Sequence, residues 1–272
     1  MAHIPAVIAS EAPNAPTSSV AWMRAATFGV VAFLASATLA QLLLDPALGS
    51  PAYRVFQHLR ILEMVAVIGM AWSLRRRFAT TSDAGRAAAT CIAMGLTVSL
   101  LGDLINGRII DLAGYTPNYK LFTVPVFAVA HIFYIVAFQR LTSRLLAGDT
   151  RRRLTLAAWP VLALGLWAVA VSDNPDPLIR HATIGYAFIV VGMTIASLWV
   201  VFAFGAAGRD AVAGAVLFLI SDVLLGAYLP EPPAGIGLVI WGAYLLGQLL
   251  LARTILLAER VPAVTVSTRN RS

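Results

Sequence analysis

Gly214-Ala-Val-Leu-Phe-Leu-Ile-Ser-Asp222-Val-Leu-Leu-Gly-Ala227 is an apolar run with one carboxylate set in it. An acid in a segment that otherwise reads as lipid-buried helix is costly, so it persists where it meets a partner or has a function. A second copy of the arrangement lies upstream in Gly95-Leu-Thr-Val-Ser-Leu-Leu-Gly-Asp103. Both place a glycine eight residues before an aspartate and a small residue just before it. Two such helices can bring two carboxyls together inside a membrane bundle.

Working outward, composition agrees with that reading. Hydrophobic residues make up 59% of the chain and charged residues 12%, with a mean hydropathy of +0.81, the profile of an all-α polytopic membrane protein. Cys91 is the single cysteine, so no intrachain disulfide is available. The net charge of +7 does not indicate nucleic acid, because the basic residues fall between apolar runs, where they orient helices. Residues 1–19 carry three prolines with no periodicity and read as a disordered tail.

Eight spans are expected, at 20–44, 56–74, 88–106, 121–139, 154–171, 179–204, 211–227 and 236–257, followed by a cytoplasmic tail from 258 to 272. Arg60 and Glu63 interrupt the second stretch, which leaves seven spans with a re-entrant segment as the alternative. Eight spans place both termini on one side. Arg75, Arg76, Arg77, Arg86, Arg140, Arg144, Arg151, Arg152, Arg153 and Arg209 then share that side with the tail arginines, against Arg54, Arg108, Lys120 and Arg180 opposite. The positive-inside rule makes the richer side cytoplasmic, in a multi-pass protein of the cell inner membrane.

Direction then sets depth. Asp103 and Asp222 both fall in the outer part of outward-running helices, within roughly 10 Å of the external boundary at 1.5 Å per residue. Glu63, His131, Tyr186 and Tyr244 can join them in an outer polar layer, with Gln248 deeper. Ser99 sits one turn before Asp103, between Gly95 and Gly102, on a small-residue face that admits a close neighbour. Each of these has a structural explanation as well: Arg60 with Glu63 can be an internal ion pair at i,i+3. His131, Tyr134, Tyr186, Tyr244 and Gln248 can be ordinary interhelical hydrogen-bonders. Methionines, phenylalanines and tryptophans read as packing and interface residues.

The chain lacks G-x-S-x-G, H-E-x-x-H and P-loop motifs, and no metal or other cofactor is implied. Four elements in order, Gly95 to Asp103, Ala130-His131-Ile-Phe-Tyr134-Ile-Val-Ala-Phe138, Gly214 to Asp222, and Tyr244-Leu-Leu-Gly-Gln248, resemble the signatures of the YhhN-like lysoplasmalogenase family over about residues 25 to 257. The resemblance implies an eight-helix membrane hydrolase that cleaves the vinyl ether of lysoplasmalogens, with Asp103 and Asp222 as the catalytic pair. The Asn106 to Lys120 segment is longer than that pattern and the Tyr228 to Pro233 turn departs from it, both beside the expected mouth.

Vinyl ether hydrolysis suits two carboxyls: one donates a proton to carbon while the other stabilises positive charge or activates water. His131 or Tyr186 is expected to orient the water or the proton, with Ser221, Ser99, Tyr134, Tyr244, Gln248 and Glu63 around a single-chain lipid substrate. Arg60, Arg180 or Lys120 is expected at its phosphate. The rival readings, a proton-coupled carrier or a lipid-binding membrane protein, use the same buried acids.

Overall fold

In the computed structural model the described residues are 50–79, 82–112, 119–228 and 234–262, with a few positions between 25 and 39. The expected tail 1–19 and most of the expected span 20–44 lie outside them. So do 113–118 and 229–233, the middle of the two segments that depart from the family pattern.

The described residues form seven long α-helices: α1 (Pro51–Phe78), α2 (Asp83–Asn106), α3 (Thr123–Thr142), α4 (Thr150–Val171), α5 (Pro177–Phe204), α6 (Arg209–Ala227) and α7 (Ala234–Arg253). Among the described residues six stretches are long and apolar enough to cross a membrane, and the longest, Pro177–Ala227, contains both α5 and α6. The protein is therefore an all-helical, multi-pass membrane protein. The re-entrant alternative for the second segment is not what is found, because α1 runs unbroken through Arg60 and Glu63.

Local chemistry explains the boundaries. Ser82, Asp149 and Asp176 accept N–H groups at the starts of α2, α4 and α5, and Pro177 opens α5 where its missing N–H is harmless. After Phe204 the chain turns through Gly205 at φ 59°, a conformation that favours glycine, into the 3-10 turn Gly205–Gly208 and then α6. At the end of α2 the N–H groups of Ile109 and Ile110 fold back to the Leu104 carbonyl. Helix α2 thus continues past Asp103, as α6 continues past Asp222.

Six helices form a closed ring in the order α1, α2, α3, α5, α6, α7 and back to α1, while α4 packs outside it on α5 and α6. Lipid offers helices no hydrophobic reason to associate, so close van der Waals contact must hold the ring. Glycines provide it. A Cβ on Gly95 would meet the Tyr134 ring at 2.5 Å, and one on Gly102 would meet the Phe127 ring at 2.6 Å. These two contacts lock α2 to α3 in antiparallel register. Gly214 and Gly247 approach each other's carbonyls, each at 2.9 Å from the position of an added Cβ, so the backbones of α6 and α7 nearly touch. Beyond α7 a 3-10 helix, Thr254–Arg260, keeps Leu257, Ala258 and Val261 buried, so the chain stays packed past residue 257. Of the seven helices, α4 is the least buried, with Val161 74% and Val169 83% exposed, as a lipid-facing helix should be.

Gly214→Leu is expected to lower stability by about 1–3 kcal/mol or more, because the added side chain meets backbone that cannot yield. Thermal unfolding in detergent reads it, beside Gly69→Ala, whose Cβ meets nothing within 4 Å and which should be neutral or slightly stabilising.

Candidate functional site

The polar residues expected from the sequence fall on the inner faces of the ring. On α6 the stripe Gly214, Phe218, Asp222 at i, i+4, i+8 sets one ring and one carboxyl beyond the glycine contact. On α2 the stripe Gly95, Ser99, Gly102 ends at Asp103. Helix α7 contributes Trp241, Tyr244 and Gln248 at i, i+3, i+7. Helix α3 adds Phe127, His131 and Tyr134 at i, i+4, i+7. Each ring helix supplies at least one of these groups.

Asp222 is the centre of the first half of the site. Its Oδ2 accepts the Tyr186 hydroxyl at 2.7 Å and lies 3.7 Å from His131 Nε2, with 12% of its side chain exposed and that of His131 wholly buried. His131 Nδ1 donates to the Phe127 carbonyl one turn back. Asp103 is the centre of the second half. It is buried at 6% exposure, and its Oδ2 accepts the Tyr244 hydroxyl at 2.8 Å.

Phe218 joins the halves. Its fully buried ring stands edge-on to His131 at 4.6 Å and to Tyr244 at 5.1 Å, and Phe127 closes the wall at 6.4 Å from Phe218 and 6.2 Å from Tyr244. Edge-to-face rings at these separations attract one another and exclude water. The two acids thus reach a common aromatic wall through one neighbour each, Asp222 through His131 and Asp103 through its donor Tyr244.

Two extensions continue from Asp103. Toward α1, the Trp241 ring lies 5.2 Å from Tyr244 and its Nε1 donates to Glu63 Oε2 at 2.8 Å, while the Arg60 guanidinium lies over the indole at 5.4 Å. Arg60 is also within electrostatic reach of both Glu63 and Asp103. Away from the acids, the Tyr134 hydroxyl donates to Gln248 Oε1 at 2.7 Å. Gln248 Nε2 and Ser99 Oγ are buried there without a hydrogen-bond partner.

Thus Asp103, Asp222, His131, Glu63, Tyr186, Tyr244, Arg60, Tyr134, Gln248 and Ser99 gather in one connected region. Ser221 does not join it through its side chain, since its hydroxyl returns to the Phe218 carbonyl on its own helix. Arg180 stands in the first turn of α5, its carbonyl taking the Trp167 indole N–H, with no contact to either acid. The side chain of Lys120 lies outside the described residues. Trp241, Phe218 and Phe127 read as packing in the sequence, yet they form the walls. The signal for Trp241 is its i, i+3, i+7 spacing with Tyr244 and Gln248, and that for Phe218 is its place midway between Gly214 and Asp222. Among the described residues no three His, Cys, Asp or Glu side chains converge to hold a metal ion.

The arrangement can hold, donate and accept protons beside an apolar wall. The YhhN family model matches residues 55–255, which includes every residue of this cluster. No curated protein and no solved structure matches the chain.

Tyr244→Phe is expected to leave Asp103 without its donor and to destabilise the protein by about 1–3 kcal/mol. A double-mutant cycle with Asp103→Asn, read by thermal unfolding in detergent, should return a coupling of about 1 kcal/mol or more. Tyr228→Phe, at an exposed residue beyond α6, should be neutral.

Proposed function

We infer that this chain, which belongs to the YhhN family, is a membrane hydrolase cleaving the vinyl ether bond of lysoplasmalogen-type lysophospholipids. The products are a fatty aldehyde and a glycerophospho-base. What supports the reading is one observation: two aspartates, Asp103 buried and Asp222 mostly so, each with its own tyrosine donor, adjoin a single aromatic wall. In this reading the alkenyl chain of the substrate takes the place along that wall, with its phosphate toward Arg60, whose cation suits it.

The proposed chemistry is stepwise. One carboxyl gives its proton to the β-carbon of the vinyl ether, forming an oxocarbenium ion. The second carboxylate stabilises that charge and accepts a proton from the water that attacks. The resulting hemiacetal collapses to aldehyde and alcohol. Water is consumed, and no redox partner is needed.

The same reading gives an eight-span protein of the cell inner membrane with both termini cytoplasmic, its acids in the outer half where a lysolipid of the outer leaflet can enter. The positive-inside distribution of arginines supports it.

The purified protein in detergent is expected to release aldehyde from a 1-alkenyl lysophospholipid and to leave the acyl analogue intact. Asp103→Asn and Asp222→Asn should each reduce that rate by about 100-fold or more, the usual scale of a lost acid or base. Movement of lipid across sealed vesicles with no product would assign the acids to a carrier instead.

A further inference from the structure

We propose that Asp222 and His131 together hold one transferable proton, which makes Asp222 the acid that protonates the substrate carbon and leaves Asp103 as the base toward water. The assignment deepens the hydrolase reading and rests on it for the chemistry.

Valence fixes the imidazole tautomer. The Phe127 carbonyl has only lone pairs to offer, so the Nδ1 bonded to it carries the hydrogen. In the neutral ring Nε2 is then a bare lone pair. That nitrogen is buried, makes no hydrogen bond, and faces Asp222 Oδ2 at 3.7 Å. A lone pair facing a carboxylate oxygen in a dry site is repulsive. A single proton, on either atom, turns the contact attractive and leaves Tyr186 free to donate to the same oxygen.

Asp103 has no such partner. Its Oδ2 takes the Tyr244 hydroxyl, and among the described residues no imidazole nitrogen faces it. Phe218 touches both environments, His131 at 4.6 Å and Tyr244 at 5.1 Å.

The cycle balances. The Asp222 O–H bond breaks as a C–H bond forms at the β-carbon, and the ether oxygen lends a lone pair to give the oxocarbenium ion. Water adds to the α-carbon, the one bonded to the ether oxygen, and passes one proton to Asp103. In the collapse the C–O bond to glycerol breaks, Asp103 returns its proton to the departing oxygen, and the hemiacetal hydroxyl proton goes back to the Asp222 and His131 pair. His131 acts here as a positioning residue that keeps the acid charged with its proton.

Infrared spectra of the purified protein labelled with 13C at the aspartate carboxyls test the assignment without substrate. A protonated-carboxyl band that shifts in D2O is expected, lost in Asp222→Asn and kept in Asp103→Asn. Loss in Asp103→Asn alone, in both, or in neither would overturn it. For turnover, His131→Gln should cut kcat by about 100-fold while KM changes less than about twofold. An unchanged kcat would overturn the role of His131. If the spectra come out as expected while wild type releases no aldehyde, the hydrolase reading fails and the protonated pair stands.

Discussion

A carboxyl group inside a hydrocarbon layer must be given its partners by the protein, because the solvent there supplies none. Almost everything distinctive in this molecule follows from meeting that demand for three acids. Tyr186 and His131 surround Asp222, Tyr244 serves Asp103, and Trp241 serves Glu63. Each partner comes from a helix other than the one bearing the acid. The acids therefore bind the ring together as well as occupying it.

Such partners are useful only at hydrogen-bonding distance, and bulky helices cannot approach that closely. The glycines resolve the conflict. Gly95 and Gly102 seat the rings of Tyr134 and Phe127, while Gly214 against Gly247 brings α6 and α7 to backbone contact. The glycine and the acid of each motif are thus one device: the first sets the approach, and the second uses the space that results. This explains why a residue type usually unfavourable within helices recurs two turns before each aspartate.

Helix α4 shows the opposite logic. It contributes no residue to the polar region and exposes most of its apolar surface, yet its tryptophans and neighbours still tie it to α5, through Trp159 to the Phe188 carbonyl and Trp167 to the Arg180 carbonyl. Its place outside the ring separates two tasks, lining the site and facing lipid.

The sequence by itself determined the class and most of the polar inventory. Apolar runs of spanning length are visible without a structure, since length and hydropathy are local properties. Asp103 and Asp222 stand out because a charge is conspicuous against such a background, and the same contrast marks Glu63, His131 and Gln248. The walls were legible only faintly: Phe127 resembles every other aromatic in an apolar chain, and only spacing marks Phe218, midway between Gly214 and Asp222, and Trp241, in line with Tyr244 and Gln248. Nor does sequence separation reveal that Tyr244 meets Asp103 across 141 positions or that Trp241 meets Glu63 across 178. Only the closure of the ring decided those pairings, the contact of Phe218 with both His131 and Tyr244, and the exclusion of Ser221 and Arg180. Contact between helices is set by how several glycine-lined faces pack at once, and that is a property of the whole bundle rather than of any one stretch.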